Sequence, residues 1–197
     1  LRRRWTHPIM TAAEDRIYDD YLAAAARAGD AAAFNALARR WQGKLLSHAW
    51  RLTGDAEAAR DIAQDAWGAI ARGIRRLDDS AAFPAFAFRI VTRRAADHIR
   101  TRRRSRALEA AMAAEPVATV ELSDASATAA ALQSALAALP PDQRAAIALF
   151  YLEDLSVAEI AAALDIPAGT VKTRLMAARD KLKAAFGVEK EKVDEQA

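Results

Sequence analysis

The chain has 197 residues, enough for one domain or two small ones, and a net charge of only +3, so the placing of its charges matters more than their sum. It has no cysteine, which excludes a disulfide framework and a thiolate metal site. No apolar run is long enough to cross a membrane and no signal peptide is present, so the reading is a soluble, cytoplasmic protein without membrane insertion. Alanine supplies much of the apolar content, Gly and Pro are scarce, and no stretch alternates like an exposed strand. The predicted fold class is all-α: two small helical domains joined by a flexible linker, the C-terminal one with a helix-turn-helix.

Residues 1–17 read as an N-terminal extension, with Met10 an alternative start. Residues 14–30 are acidic, carrying Glu14, Asp15, Asp19, Asp20 and Asp30 against Arg16 and Arg27. A first helical domain spans residues 18–106. Its central helix begins at Asp55, a residue type that caps helices, and runs to about Leu77. Ile62, Ala66, Trp67 and Ile70 share one face, while Asp61, Gln64, Asp65 and Gly68 recur at i, i+3, i+4 and i+7 on the opposite one. No histidine, nucleophile or metal-ligand set accompanies these acids, so they read as either a solubilising face or a partner surface rather than a catalytic one.

The next helix starts around Pro84, a good first-turn residue. Phe83, Phe86, Phe88 and Ile90 supply its packing surface, with Phe83 and Phe88 expected in the core. Arg89, Arg93, Ala96 and Arg100 form a stripe that can track a phosphate backbone. Basic residues continue through Arg102, Arg103, Arg104 and Arg106, with Asp97 the one acid among them. Residues 107–127 lose periodicity and gain Pro, Ser, Thr and Asp, which predicts a linker. A second helical domain covers 128–187, and residues 188–197 form a tail.

Within the second domain, Ser156 and Glu159 predict a capping box, and Ile160, Ala161 and Leu164 an apolar face. Asp165 tolerates a left-handed turn, and Pro167 suits the start of a following helix. There Val171, Leu175, Ala178 and Leu182 form a buried stripe; Lys172, Thr173, Met176 and Ala177 face away from it, flanked by Arg174, Arg179 and Lys181. Such a helix, packed on one side and polar or basic on the other, suits the major groove of DNA.

The run IPAGTVKTRLMAARDKL, together with LPPDQR at 139–144, resembles the minus-thirty-five-reading segment of bacterial sigma factors of the extracytoplasmic-function (ECF) group in the sigma-70 family. DIAQDAW at 61–67 resembles that family's core-polymerase-binding helix, and Phe83 through Arg100 its promoter-melting helix. The resemblance covers most of residues 20–186. It implies an alternative sigma factor that binds core RNA polymerase through Asp61, Gln64, Asp65 and Gly68. It further implies minus-ten DNA and melting contacts from Phe86, Arg89, Arg93 and Arg100. Minus-thirty-five DNA would be met by Thr170, Lys172, Thr173, Arg174, Met176, Ala177 and Arg179. The partners implied are core RNA polymerase, promoter DNA and an anti-sigma factor. The chain departs from the pattern at Phe86 (usually Trp), Arg93 (often Asn), Ala177 (commonly basic) and Asp165 (commonly Gly).

The histidines, His7, His48 and His98, stand far apart without acidic or cysteine neighbours at ligand spacing. No glycine-rich phosphate loop, nucleophile elbow or metalloprotease helix is present, so neither an enzyme nor a cofactor or metal is expected. Two other readings stay open: a sigma mimic that titrates an anti-sigma factor, and a plain helix-turn-helix regulator, which would not need the acidic face on Asp61 and Asp65.

Overall fold

Capping chemistry sets most of the helix boundaries. A computed structural model describes residues 11–110 and 127–186. Helix α1 (Ala12–Arg27) opens on a capping box: the Thr11 backbone N–H donates to Glu14 Oε2 at 2.7 Å, and the Glu14 N–H to Thr11 Oγ1 at 3.3 Å. The first helix therefore starts well before residue 18, and residues 12–17 of the expected extension are helical; residues 1–10 lie outside the described part. Asp30 caps α2 (Ala31–Thr53), which Gly54 ends in a left-handed conformation (φ 68°). Asp55 caps α3 (Ala56–Gly73), as its position predicts. The Ala58 backbone N–H, then Arg102 and the Glu57 N–H, hold the Asp55 carboxyl below the usual carboxylate range.

After α3 the chain tightens into a 3-10 turn, Ile74–Arg76, so the helix expected to reach Leu77 ends early. The cause is local. A Cβ at Gly73 would stand 2.7 Å from Phe86 Cζ, and the chain passes close beneath that ring. A second 3-10 turn, Ser80–Ala82, leads into α4 (Phe83–Ala110). This helix continues past the expected linker start at 107, because Ala107, Leu108, Glu109 and Ala110 are all good helix formers. Residues 111–126, the rest of that segment, and the tail from 188 lie outside the described residues. Helices α5 (Ala127–Ala138), α6 (Pro141–Tyr151), α7 (Val157–Leu164) and α8 (Ala168–Ala185) complete the order, and among the described residues there is no strand.

In the first helical unit α2, α3 and α4 pack on one another, and Leu37, Trp41 and Leu45 share one buried cluster with Ile62, Ala66 and Ile70 of α3 and Phe83, Phe88 and Val91 of α4. Trp41 is edge-on to Phe83 at 5.0 Å and tilted to Phe88 at 5.5 Å. Fully buried Ala49, Ala59, Ala63, Ala87 and Ala95 take little room between the helices. In the second unit Ala146 and Leu149 of α6, Ile160 and Ala163 of α7, and Val171, Leu175 and Ala178 of α8 close a smaller core.

The two units pack on one another, with α7 against α4, and their buried residues form one continuous cluster. Arg51 of α2 reaches Glu153, beyond α6, at 2.6 Å, with Glu153 almost fully buried. Burial pushes the Glu153 carboxyl up, and the Arg51 guanidinium opposes that only in part. Arg144 of α6 donates to the Leu52 carbonyl at 3.2 Å and to the Leu139 carbonyl at 2.9 Å. One guanidinium thus joins the end of α2 to the chain after α5, and burial lowers its pKa.

His48 is wholly buried on α2, shares a 2.9 Å hydrogen bond with Thr92 Oγ1 of α4, and stands edge-on to Phe88 at 5.1 Å. Burial, with Arg51 adding to it, brings its pKa down to about 3. The unfolded chain therefore binds one more proton than the folded one as pH falls from about 6.5, the free value. Stability should drop on acidification from pH 6.5 to 5, with a slope approaching about 1.4 kcal/mol per pH unit for that proton. Denaturant unfolding across this range should show the slope in the native chain and a flatter profile in His48→Leu.

Candidate nucleic-acid and partner interfaces

The capped start of α3 fixes which side chains face solvent. Ile62, Ala66 and Ile70 are buried, and Trp67 is half-buried with its indole N–H donated to Gln42 Oε1 at 2.5 Å. That orientation leaves Asp61, Gln64 and Asp65 exposed together, with Gly68 half-buried beside them. Only the tip of Arg72 lies within contact of the space over Gly68, so the patch is open to a close-approaching partner. Asp65 has a partner the sequence did not reveal: Arg94 Nη1 of α4 lies 3.0 Å from its carboxylate. Both groups stay partly exposed, so the pair contributes at most about 1 kcal/mol and chiefly orients the carboxylate.

On α4, Phe83 and Phe88 are core residues, as predicted, while Phe86 is half-buried with its ring over Gly73. Arg93 is exposed and forms no ion pair among the described residues. Arg100 pairs with Asp97 one turn earlier, and Arg102 with Asp55 at 2.7 Å. Arg89, also exposed, lies 2.9 Å from Asp165 in the second unit. The predicted arginine stripe is therefore present on the surface, but its members differ in what already holds them.

The second unit has the predicted helix-turn-helix geometry. Ser156 and Glu159 form the capping box of α7, and Asp165 ends that helix in the left-handed region (φ 57°, ψ 47°). Pro167 then stands at the N-cap position of α8, with no side-chain hydrogen bond to the first turn. Burial of Val171, Leu175 and Ala178 turns Lys172, Thr173 and Met176 outward, with Thr170 and Ala177 half-buried at the edges. Thr173 Oγ1 donates to the Gly169 carbonyl at 3.1 Å.

Both flanking arginines reach α6. Arg174 pairs with Asp142 of α6 at 3.3 Å. Arg179 donates its Nε–H to Tyr151 Oη at 2.9 Å and lies over the Phe150 and Tyr151 rings at 5.4 and 5.5 Å. Sequence spacing could not reveal Asp142 or Tyr151, because both act across a helix-helix contact. Among the described residues no group of three or more His, Asp or Glu side chains could hold a metal ion, and no helix is long and apolar enough to cross a membrane.

Residues 37–105 match the family model for sigma-70 region 2, and residues 129–182 that for sigma-70 region 4. The ECF RNA polymerase sigma factor SigW of Bacillus subtilis is 30% identical over 173 residues, covering 79% of this chain and 89% of SigW. SigM of Mycobacterium tuberculosis, another ECF sigma factor, is 34% identical over 169 residues, covering 86% of this chain and 85% of SigM. The chain belongs to the ECF sigma factors. Among solved structures, CnrH in complex with the cytosolic domain of CnrY is similar, with TM-score 0.63, 29% identity, and cover of 87% of this sigma factor and 99% of CnrH. The sigma factor RpoE of Bartonella quintana, solved with the anti-sigma factor NepR, shares the fold at TM-score 0.67 and 24% identity, over 79% of this chain and 98% of that one. The α3 and α4 surfaces of this sigma factor thus lie in region 2, and α8 in region 4.

The bracing of α8 has a measurable consequence. Arg179→Ala removes a hydrogen bond and a stacked cation and should lower stability by about 1–2 kcal/mol. Tyr151→Phe, which keeps the ring, should cost less than Arg179→Ala. Thermal unfolding of the two variants beside the native chain gives the ordering.

Proposed function

We propose that this alternative sigma factor, whose family assignment carries its role in directing transcription initiation, divides the work among three surfaces. Asp61, Gln64 and Asp65 on α3, with Gly68 permitting close approach, dock on core RNA polymerase. Arg89, Arg93 and Arg100 on α4 hold the displaced non-template strand by its phosphates, with Phe86 at the edge of that surface. Lys172, Thr173 and Met176 on α8 read the upstream promoter element, and Ala177 admits a base methyl.

The observation that supports this division is orientation. Burial of Ile62, Ala66 and Ile70 in α3 and of Val171, Leu175 and Ala178 in α8 leaves the proposed partner residues facing outward, although Trp67 and Leu182 of the expected stripes are only half-buried. The units formed by α1 to α4 and by α5 to α8 then act as the polymerase-binding and upstream-reading domains. The chain itself catalyses nothing; the polymerase performs the chemistry, in the cytoplasm where both it and the promoter reside. An anti-sigma factor is a further partner, and the seating of CnrH against part of CnrY supports a protein ligand for a relative of this kind.

Run-off transcription with purified core polymerase tests the reading against its rivals: a sigma factor initiates, whereas a titrating mimic or a plain repressor does not. Two residue-level outcomes follow. Asp61→Lys with Asp65→Lys should abolish co-purification with core polymerase while circular dichroism stays unchanged; binding at normal yield would place the docking face elsewhere. Lys172→Ala should cost about 1–3 kcal/mol and relax preference at one upstream base pair, read from affinities for single-base promoter variants. An equal loss on every variant would instead make Lys172 a phosphate contact.

A further inference from the structure

Many of the arginines are already engaged within the chain. Arg16, Arg51 and Arg89 pair across the seam between the two units with Glu159, Glu153 and Asp165. On α8, Arg174 is tied to Asp142 and Arg179 to Tyr151, both on α6. Between Thr170 and Ala178 this leaves Lys172 as the one cation with no ion pair among the described residues. A lysine is a point charge and cannot fork onto a base edge as arginine does.

The rest of that outward face is apolar. Thr173 and Met176, three residues apart and so neighbours on the helix surface, are both exposed, with Ala177 half-buried beside them. Met176 stands 60% exposed, although its side chain gains nothing from water. The Thr173 hydroxyl donates to the Gly169 carbonyl at 3.1 Å. Its proton is therefore spent within the helix, the hydroxyl is turned back along it, and the γ-methyl is the group left for a partner. Nothing lies within 4 Å of the space over Gly169, so a groove wall can come close to this first turn.

We propose that Thr173 and Met176 form a methyl-reading patch, which selects a thymine of the upstream element by its C5-methyl rather than by hydrogen bonds to its edge. The proposal rests on the reading above, that α8 enters the major groove. In that groove the thymine methyl is the one apolar group a base pair offers. A cytosine in its place presents an amino donor, which would lose water against Met176 without gaining a good acceptor. Met176 is unbranched and polarizable, so it can follow the methyl along the groove. Lys172, one turn before Met176, serves a neighbouring base pair. Sequence-dependent groove shape is the rival source of an A·T preference, and removing the methyl alone separates the two.

The test uses holoenzyme, reconstituted from the full chain and core polymerase, on a promoter selected from a random library. Each thymine of the upstream element is replaced in turn by deoxyuridine, which deletes the methyl and leaves both base pairing and protein untouched. At a thymine opposite the patch the affinity should fall about fourfold, the factor that burial of one methyl-sized group yields. Where cytosine at that place weakens binding, 5-methylcytosine should recover part of the loss. Thr173→Val keeps an outward methyl and discards the hydroxyl, so it should retain the sensitivity to deoxyuridine. Thr173→Ser with Met176→Ala discards the apolar groups and should abolish it.

Weaker binding by Thr173→Val, with no thymine sensitive to deoxyuridine, overturns the patch and makes the hydroxyl the reader. Sensitivity that survives Thr173→Ser with Met176→Ala puts the methyl contact on other side chains and overturns the assignment. Should that double change weaken binding while every deoxyuridine promoter binds like its parent, methyl reading falls and α8 remains the reader. If neither it nor Lys172→Ala alters binding to any promoter, the placing of α8 in the groove falls as well.

Discussion

The grip of Phe83 and Phe88 on Trp41 is the constraint from which the functional surfaces follow. The two phenylalanines sit in the first turns of α4 and close on one indole in the middle of α2. That contact sets where α4 begins and how it is rotated about its axis. Rotation in turn decides which of its many arginines face solvent and which reach α3. Losing the indole would cost about 3–5 kcal/mol, a large share of the roughly 5–15 kcal/mol that holds a domain folded. The buried His48–Thr92 bond, one to two turns further along both helices, keeps the same pairing in register.

Seen from this contact, the arginines of α4 fall into groups by what they meet rather than by where they stand in the sequence. Arg94 and Arg102 turn back onto α3, where Asp65 and the capping carboxylate of Asp55 receive them. Arg100 is tied to its own helix through Asp97. Arg89 points across the seam, and Arg93 stays in solvent. The same sorting occurs on α8, where Arg174 and Arg179 brace the helix and Lys172 is left outward. A run of basic residues is thus divided between ties that hold the scaffold and side chains left in solvent.

What the sequence made legible was whatever depends on neighbours within a few residues. The Ser156–Glu159 capping box, the cap at Asp55, the turn at Asp165 and the buried stripes of α3 and α8 could all be read from spacing. The outward placing of Asp61, Gln64, Asp65, Lys172, Thr173 and Met176 follows from those stripes. The Thr11–Glu14 capping box has the same local spacing, and it starts the first helix at Ala12, inside the expected extension. The partners of Asp65, Arg89, Arg174 and Arg179 were not legible, because a salt bridge between distant segments leaves no period. Nor was the seam: Arg51 and Glu153 are about a hundred positions apart, and nothing local marks either as buried.

The close passage of Gly73 beneath the Phe86 ring ties two distant positions into one shared volume. Any side chain gained at 73 would have to displace the ring, and with it the first turns of α4. Exchange at either position is therefore conditional on the other. In this lineage the size of the aromatic residue at 86 and the bareness of 73 should drift together, as a lock and its key are recut in pairs.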